Sequence, residues 1–526
     1  MKFTIDSQEK SIPYRRHWKF CVGSDHATMA LRTDYVAMLT KVHEDLGIQY
    51  VRFHGILSDD MDVVKSLYHI FPIDGAENFV EYNFQKIAAV YDNVLSCGMK
   101  PFVELSFMPE LLGSSKEECF FYYKGNISPP QDYGHWSELI EQLIQFLLYR
   151  YGKEEVESWY FEVWNEPDLY GFFAGKKKDY YKLYEVTART IKRVNGNLRV
   201  GGPATSGSKW VQSFLEYCRK QDVPVDFLST HQYAGDPIGG LDAAVDLEQE
   251  NEKFVLKDFL NREIFTEKKA GTILEGYRQI MRDKSEIEEL PNDSFRRNAE
   301  LVKGFAGTLP VIYTEWNANA IFSAESNDTR KVAAYDIKAS LDTEESVDLS
   351  SIWCFSDLFE EFHHFQEEFH GGFGLMTSHG IPKPVYHALR MMSEVGGQRL
   401  LIGEHATDGE IGIAAFRKTE SIQILLFRQK MKQINLPEEI LDLKLMSDKS
   451  PVSVTVKKID EQHCNPYFLW MEMGKPVSMT KDQLQDIIEK SDMKEENLDF
   501  KYDGSSIAVT AELCVNDVWL IHVCMG

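Results

Sequence analysis

The stretch "WYFEVWNEPD" (Trp159–Asp168) starts as an aromatic, apolar strand and ends on an amide and two carboxylates, Asn165, Glu166 and Asp168. Pro167 has no amide hydrogen to give a central ladder, so the chain must turn out after Glu166. Residues 159–163 then read as packing and Asn165 and Glu166 as presented groups, with Asp168 expected to cap the next helix or loop.

The same grammar recurs along the chain. Short apolar runs stand at "FCVG" (from Phe20), "YVRF" (Tyr50), "PFVEL" (Pro101), "RVGGP" (Arg199), "DFLSTH" (Asp226), "PVIYTE" (Pro310) and "SSIWCF" (Ser350). Between them, Tyr35–Leu46, Phe84–Ser96, Trp136–Tyr151, Tyr180–Val194, Trp210–Arg219 and Thr329–Leu341 repeat apolar residues at three and four, the helical spacing. Eight βα units with strands buried on both faces predict an α/β fold of the (β/α)8 TIM-barrel type, with a doubly wound open sheet as the alternative. The polar residues favour the barrel. His54, Glu104, Asn165, Glu166, His231, Glu315 and Asp357 all fall at strand ends, which a barrel gathers at one mouth.

Beyond Gly397 the pattern changes to alternating runs, "IGIAAFRK", "SIQILLFRQ", "VSVTVKKI", "SSIAVTAEL" and "DVWLIHVC", which predict a β-sandwich. The opening "MKFTI" is expected to join it. The division expected is therefore a catalytic barrel over 15–395 and an accessory β-sandwich made of 1–14 plus 396–526. The charged segment 240–293 interrupts the barrel rhythm and reads as a solvated helical insertion, with a lid or subunit contact as the sharper reading.

Composition bounds the partners. At 526 residues the chain exceeds one ordinary domain, and 43% hydrophobic and 12% aromatic residues supply a large core. A net charge of -25 disfavours nucleic acid and anionic membranes, which would repel it. The N-terminal residues hold no signal-length apolar run and no window suits a membrane span, so a cytoplasmic protein is expected. Eight scattered cysteines without a CxxC read as reduced thiols rather than disulfides or a metal site. "HHFQEEFH" (His363–His370) lacks metalloprotease spacing and is read as no metal site.

Glu166 and Glu315 end the fourth and seventh strands and should face each other across the mouth. Two flanking carboxyls are what glycosidic cleavage needs, one to protonate the leaving oxygen and the other to stabilise or attack the anomeric carbon. The acid must keep its proton near neutral pH through burial or a neighbouring negative charge. Tyr233 would orient the nucleophile and His231 would bind substrate, although both read equally as packed core residues. Asp357, Glu360 and Glu361 follow the eighth strand, where carboxylates accept bonds from sugar hydroxyls. The chemistry requires no cofactor.

With "KFCVGS", "VRFHGILSDD", "FYYKGNISPP", "VDFLSTHQY", "IYTEWN", "FSDLFEE" and "FHGGFGL...IPKP", the run "WYFEVWNEPDL" resembles glycoside hydrolase family 39, in particular its bacterial β-xylosidases. The likeness spans about residues 15 to 390. It implies a retaining mechanism with Glu166 as acid/base and Glu315 as nucleophile. It also implies sugar-binding roles for His54, Asn165, His231, Tyr233, Glu360 and Glu361, and a subsite shaped by Phe121 and Trp353. Aromatic rings suit the apolar faces of a pyranose. Members act on short oligosaccharides, and some are homo-oligomers such as tetramers.

Three features depart from the family pattern. "TEWNANA" carries Trp316 and Ala320 where the pattern has other aromatics, Gly23–His26 reads "GSDH" for "GTGR", and segment 240–293 is long. The expected activity is removal of terminal β-D-xylose from short xylo-oligosaccharides or aryl glycosides. Arabinosides, glucosides, galactosides or uronides are alternatives, the last needing a basic clamp such as Arg32 or Lys209. A non-catalytic carbohydrate-binding protein on this scaffold is the alternative of another class.

Overall fold

The computed structural model describes residues 1–67, 70–76, 80–239, 278, 290–361, 365–402, 409–432 and 436–526. Nearly all of the insertion predicted at 240–293, together with His363 and His364, lies outside the described residues.

Eight parallel strands close into a barrel. They are β1 (Cys21–His26), β2 (Tyr50–His54), β3 (Lys100–Glu104), β4 (Tyr160–Glu162), β5 (Arg199–Thr205), β6 (Phe227–Tyr233), β7 (Val311–Asn317) and β8 (Leu349–Ile352). The ring closes through β8 on β1, where Ser351 pairs with Cys21. After each strand comes a helix: α1 (Thr33–Leu46), α2 (Gln85–Ser96), α3 (Tyr133–Tyr151), α4 (Lys177–Val194), α5 (Val211–Gln221), α6 (Ser294–Ala306), α7 (Arg330–Asp342) and α8 (Pro384–Glu394). The predicted periodic segments coincide with α1 to α5 and α7 to within a few residues, because each buries one stripe against the sheet.

Within the barrel the side chains stack in layers. Phe20, Cys21, Phe102, Phe227 and Ile312, with Tyr50, Tyr160 and Leu349, form an aromatic floor. Two residues further along the strands the inward positions become Arg52, Glu104, Glu162 and Thr314, all buried. The period of two along a strand thus turns an apolar floor into a charged layer directly beneath the mouth.

The C-terminal part forms two sheets. One has four strands in the order Lys2–Asp6, Glu439–Met446, Ser506–Leu513, Lys501–Tyr502. The other has seven and carries the five predicted runs except Ser506–Leu513, with Ser11–Pro13 and Gln398–Leu400 at one edge. Leu441, Leu443, Leu445, Ile424, Leu426, Val509 and Ile521 are part of the core between the sheets. Lys2–Asp6 does join the sandwich, and it pairs in parallel with Glu439–Met446, a strand absent from the sequence reading. Also unforeseen are two helices, Pro466–Glu472 and Lys481–Ser491, which pack Tyr467, Trp470 and Ile487 on Phe369 and Ile381 of the barrel. We infer the division between the units near residues 14 and 395, since α8 ends at Glu394 and the edge strands pair immediately beyond. Among the described residues no helix is long and apolar enough to cross a membrane. The eight cysteines are all unpaired.

Candidate active site

The end of β4 is held in an unusual backbone. Trp164 and Glu166 take positive φ angles of 73° and 40°, as does Ala204 at 54° on the neighbouring β5. L-residues rarely adopt this region, and such strain persists only where the surroundings enforce it. Here Glu166 N donates to Ala204 O at 2.8 Å, Tyr180 Oη donates to Val163 O at 3.0 Å, and Trp164 Nε1 donates to Phe172 O at 2.8 Å. The turn aims Glu166 into a cavity of about 340 Å³, small among ligand pockets, lined by Glu315, His54, Tyr233, Trp353, Glu361 and Phe121 among others. A larger hollow of about 390 Å³ lies where Arg330 meets Tyr467 and Asn516, but it lacks paired carboxyls set to act on one bond.

Glu315 is fixed from three sides. Arg52 Nη1 donates to its Oε1 at 2.7 Å, Tyr233 Oη donates to its Oε2 at 3.0 Å, and His54 Nε2 stands 3.6 Å from Oε1. Burial and the neighbouring Glu315 push the Tyr233 phenol far up, so it remains a donor.

Arg52 organises the charged layer. Its Nε donates to Glu162 Oε2 at 2.6 Å and its Nη2 donates to Asn165 Oδ1 at 2.8 Å, with Glu104 Oε2 also 2.8 Å from Nη2. Burial opposes its charge, but Glu162, Glu104 and Glu315 outweigh that and raise its pKa. Glu162 is steadied further by Thr314 Oγ1, which donates at 2.8 Å. His54 Nδ1 lies 2.7 Å from Glu104 Oε2; burial disfavours its proton and Glu104 outweighs the burial, so His54 is pushed up.

Glu166 has the opposite environment. Burial raises its pKa well above the ordinary carboxyl range, and Asp168 and Asp236 raise it further, against smaller opposing effects of His54 and Arg52. Its hydrogen-bond partner His231, with Nδ1 2.9 Å from Glu166 Oε1, is pushed down to about 4 by burial and remains neutral. The pocket therefore joins a carboxyl biased to keep its proton with a carboxylate paired to a guanidinium. Glu166, His231 and Glu315 each offer an atom within 4.8 Å of the others, which is also a spacing for metal ligands. Arg52 already supplies the positive charge at Glu315, so a metal is not needed there.

The other expected residues divide. Phe121 and Trp353 line the pocket, with the Trp353 ring 4.8 Å from that of His54. Asn165 is fully buried with Nδ2 lacking a partner among the described residues, and His231 Nε2 is likewise unbonded, although neither residue lines the pocket; Glu361 does, with Oε1 3.4 Å from His54 Nε2. Buried polar atoms left unpaired by the chain are suited to pairing with a ligand. Glu361 is pushed up by burial, then by Asp25, Glu315 and Glu166. Glu360 is not among the pocket-lining residues; its backbone N donates to Asp25 Oδ2 at 2.6 Å and its carboxylate stands 3.8 Å from His26 Nδ1.

Asp357 differs from the expectation of a sugar ligand. It is buried, accepts from Gly374 N at 2.7 Å, and pairs with Lys383 Nζ at 2.6 Å, which also meets Asp328 at 2.7 Å. Gly372 leaves room for it, since a Cβ there would stand 2.3 Å from Asp357 Oδ1. This buried cluster shapes the loop that sets Phe373 on the pocket wall. Asp168 also differs from the expected cap. Its carboxylate accepts from Ser206 N at 2.9 Å and Ser206 Oγ at 2.5 Å and meets Lys209 at 3.5 Å, tying β4 to the loop after β5.

The departures from the family pattern also separate. Trp316 is buried in the core against Phe295, whereas Ala320 lies on the pocket wall. Asp25 and His26 are buried outside the pocket lining, with the His26 ring stacked 3.9 Å from that of Tyr123. Arg32 pairs with Asp34 at 2.6 Å and does not line the pocket. Sequence reasoning missed Arg52, Glu162, Asp236 and the electrostatic effect of Asp168. A signal for Arg52 was present, a cation inside an apolar run two residues before His54 and so on the same strand face.

A model of the glycosyl hydrolases family 39 matches residues 1–256 and 235–506 of the chain. A β-xylosidase of Caldicellulosiruptor saccharolyticus is 37% identical over 503 residues, covering 95% of this chain and 93% of its own. A β-xylosidase of Geobacillus stearothermophilus is 35% identical over 471 residues, 88% of this chain and 84% of its own. Among solved structures, a family 39 β-xylosidase from Caulobacter crescentus aligns over 99% of both chains with a TM-score of 0.74 and 29% identity.

Proposed function

The chain belongs to glycosyl hydrolases family 39, and from that premise we propose that it is a retaining, exo-acting β-xylosidase that works in the cytoplasm on short xylo-oligosaccharides. The observation that carries the mechanism is the carboxyl pair. Glu166 and Glu315 each offer an oxygen within 4.8 Å of the other, which favours direct attack, with carboxyls about 5–5.5 Å apart, over a mechanism that needs roughly 6.5–9.5 Å to admit a water.

In the first step a Glu315 oxygen attacks the anomeric carbon while Glu166 gives its proton to the glycosidic oxygen. The carbon–oxygen bond breaks and a glycosyl ester forms on Glu315. Glu166, now a carboxylate, takes a proton from water as that water attacks the same carbon, and the ester opens with Glu315 leaving as carboxylate. The two inversions give net retention. The negative neighbours that favour the Glu166 proton, Asp168 and Asp236, persist through both steps, unlike a charge on Glu315 that esterification would remove.

Glu361 and His54, which line the pocket with Oε1 and Nε2 3.4 Å apart, and Asn165 Nδ2, unbonded among the described residues, suit the hydroxyls of the sugar, and Trp353 and Phe121 suit its apolar face. The small pocket and the β-xylosidases at 35–37% identity support xylose at the terminal position. A uronide is less well served. Arg32 is occupied by Asp34, and Lys209 stands on the side of Glu166 and is paired to Asp168.

Azide rescue tests the roles. Glu315→Gly should lose hydrolysis of aryl β-xyloside and recover with azide to give the inverted α-glycosyl azide, while Glu166→Ala with azide gives the retained β-azide. Exchanged stereochemistry reverses the two roles. Absence of turnover by the parent protein across a panel of aryl glycosides would favour the binding-protein alternative.

A further inference from the structure

The pocket wall beside Glu166 has a chemistry that the first sugar does not use. Ser206 and Lys209 come from the loop after β5 and Asp236 from the turn after β6, and all three line the cavity. In the closed ring β5 and β6 stand opposite β1 and β2, so these side chains lie across the mouth from His54. An acid on β4 delivers its proton to the leaving oxygen, which puts the departing group on the Glu166 side.

The three polar groups are held in place from below. Asp168, fully buried, binds both the amide and the hydroxyl of Ser206 and neutralises Lys209. Asp236 Oδ2 accepts from Tyr233 N at 2.6 Å. Gly207 takes a left-handed φ of 54°, a conformation suited to glycine, at the turn where Ser206 lies beside Asp236. Ser206, Lys209 and Asp236 thus offer a hydroxyl, an ammonium and a carboxylate, and Leu169 and Phe172 line the same cavity with apolar surface. Lys209 is balanced by Asp168, with Asp236 also close, so this wall holds no surplus positive charge for an anionic leaving group.

We propose that Ser206, Lys209 and Asp236 form a subsite for the leaving sugar that takes an uncharged pyranose by its ring hydroxyls. The proposal rests on the glycosidase reading above. It makes the enzyme favour a disaccharide over a substrate whose leaving group has equal need of an acid but no hydroxyls to offer.

The test compares xylobiose with methyl β-xyloside, both poor leaving groups that depend on Glu166. In Lys209→Met and in the isosteric Asp236→Asn, the ratio of kcat/KM for xylobiose to that for methyl β-xyloside should fall about tenfold, as for the loss of a charged hydrogen bond. An unchanged ratio, with both substrates slowed alike, means that these residues act through Glu166 and overturns the subsite. If the parent protein cleaves a different glycone, the matching disaccharide and methyl glycoside give the same ratio, and only the xylose assignment falls. Parent protein that hydrolyses no glycoside overturns the glycosidase reading and the subsite with it.

Discussion

The floor and the mouth of the barrel are made by the same strands two residues apart, yet they obey different rules. On β2, β3 and β4 the floor residues are Tyr50, Phe102 and Tyr160, and the next inward positions are Arg52, Glu104 and Glu162. The floor is an aromatic cluster, with the Phe102 and Tyr160 rings stacked at 5.5 Å and the Arg199 guanidinium 3.7 Å over Tyr160. Its cohesion depends on volume and apolar area, which many side chains satisfy. The layer above depends on direction. Each carboxylate there has a named donor, and Asn165 Nδ2 and His231 Nε2, next to Glu166 along the chain and by hydrogen bond, are left unbonded among the described residues. One strand register therefore holds both a tolerant region and an intolerant one.

The largest effect should come from breaking the directional layer at its centre. Arg52→Met removes the cation shared by Glu104, Glu162 and Glu315. Truncating one partner of a buried ion pair costs about 3–5 kcal/mol, because the remaining charges stay buried without compensation. The urea midpoint should drop accordingly, and kcat should fall with it as Glu315 loses its main anchor. A variant as stable as the parent would show that the layer is not held by Arg52, and the contrast with the floor would disappear.

This contrast also sets what the sequence made legible. Barrel strands and helices announce themselves by apolar spacing, and all eight strands fall where the short runs stand. Glu166 and Glu315 were visible because each ends an apolar run. Arg52 and Glu162 are hidden by the same logic, since a charge inside a run looks like an interruption until the ring closes and brings three strands onto one guanidinium. Asp357 was misread for a related reason. Its position after β8 suggests the mouth, but its partner Lys383 lies 26 residues further on, and only the folded loop joins them. In the sandwich, "LDLKL" alternates clearly over residues 441–445 and was available as a strand signal.

A smaller change sharpens the comparison without dismantling the layer. Asp168→Asn keeps the shape of the side chain that binds Ser206 but removes a negative charge near Glu166. Burial is the first cause of the raised Glu166 pKa and Asp168 the next, so loss of that charge makes the Glu166 carboxylate easier to form. The folded-state pKa of Glu166 then falls. Since the alkaline limb of kcat/KM reports loss of the proton from the acid, that limb should move to lower pH. Lys209, no longer balanced by the Asp168 charge, would push in the same direction. A limb that stays in place would assign the Glu166 environment to burial and Asp236, with no share for Asp168.

The smallest effect should come from the floor. Ile312 is fully buried on β7 among the aromatic rings, two residues before Thr314 and three before Glu315. Ile312→Val removes one methylene, a change of about 0.5–1.5 kcal/mol in such surroundings. Nothing directional is lost, because the backbone bonds of β7 are untouched and Thr314 still donates to Glu162. The expected outcome is a slightly lower urea midpoint with kcat and KM for aryl β-xyloside within twofold of the parent. A fall in kcat beyond that, without greater loss of stability, would mean that the floor transmits its packing to Glu315 through the strand, and that mouth and floor are mechanically one layer.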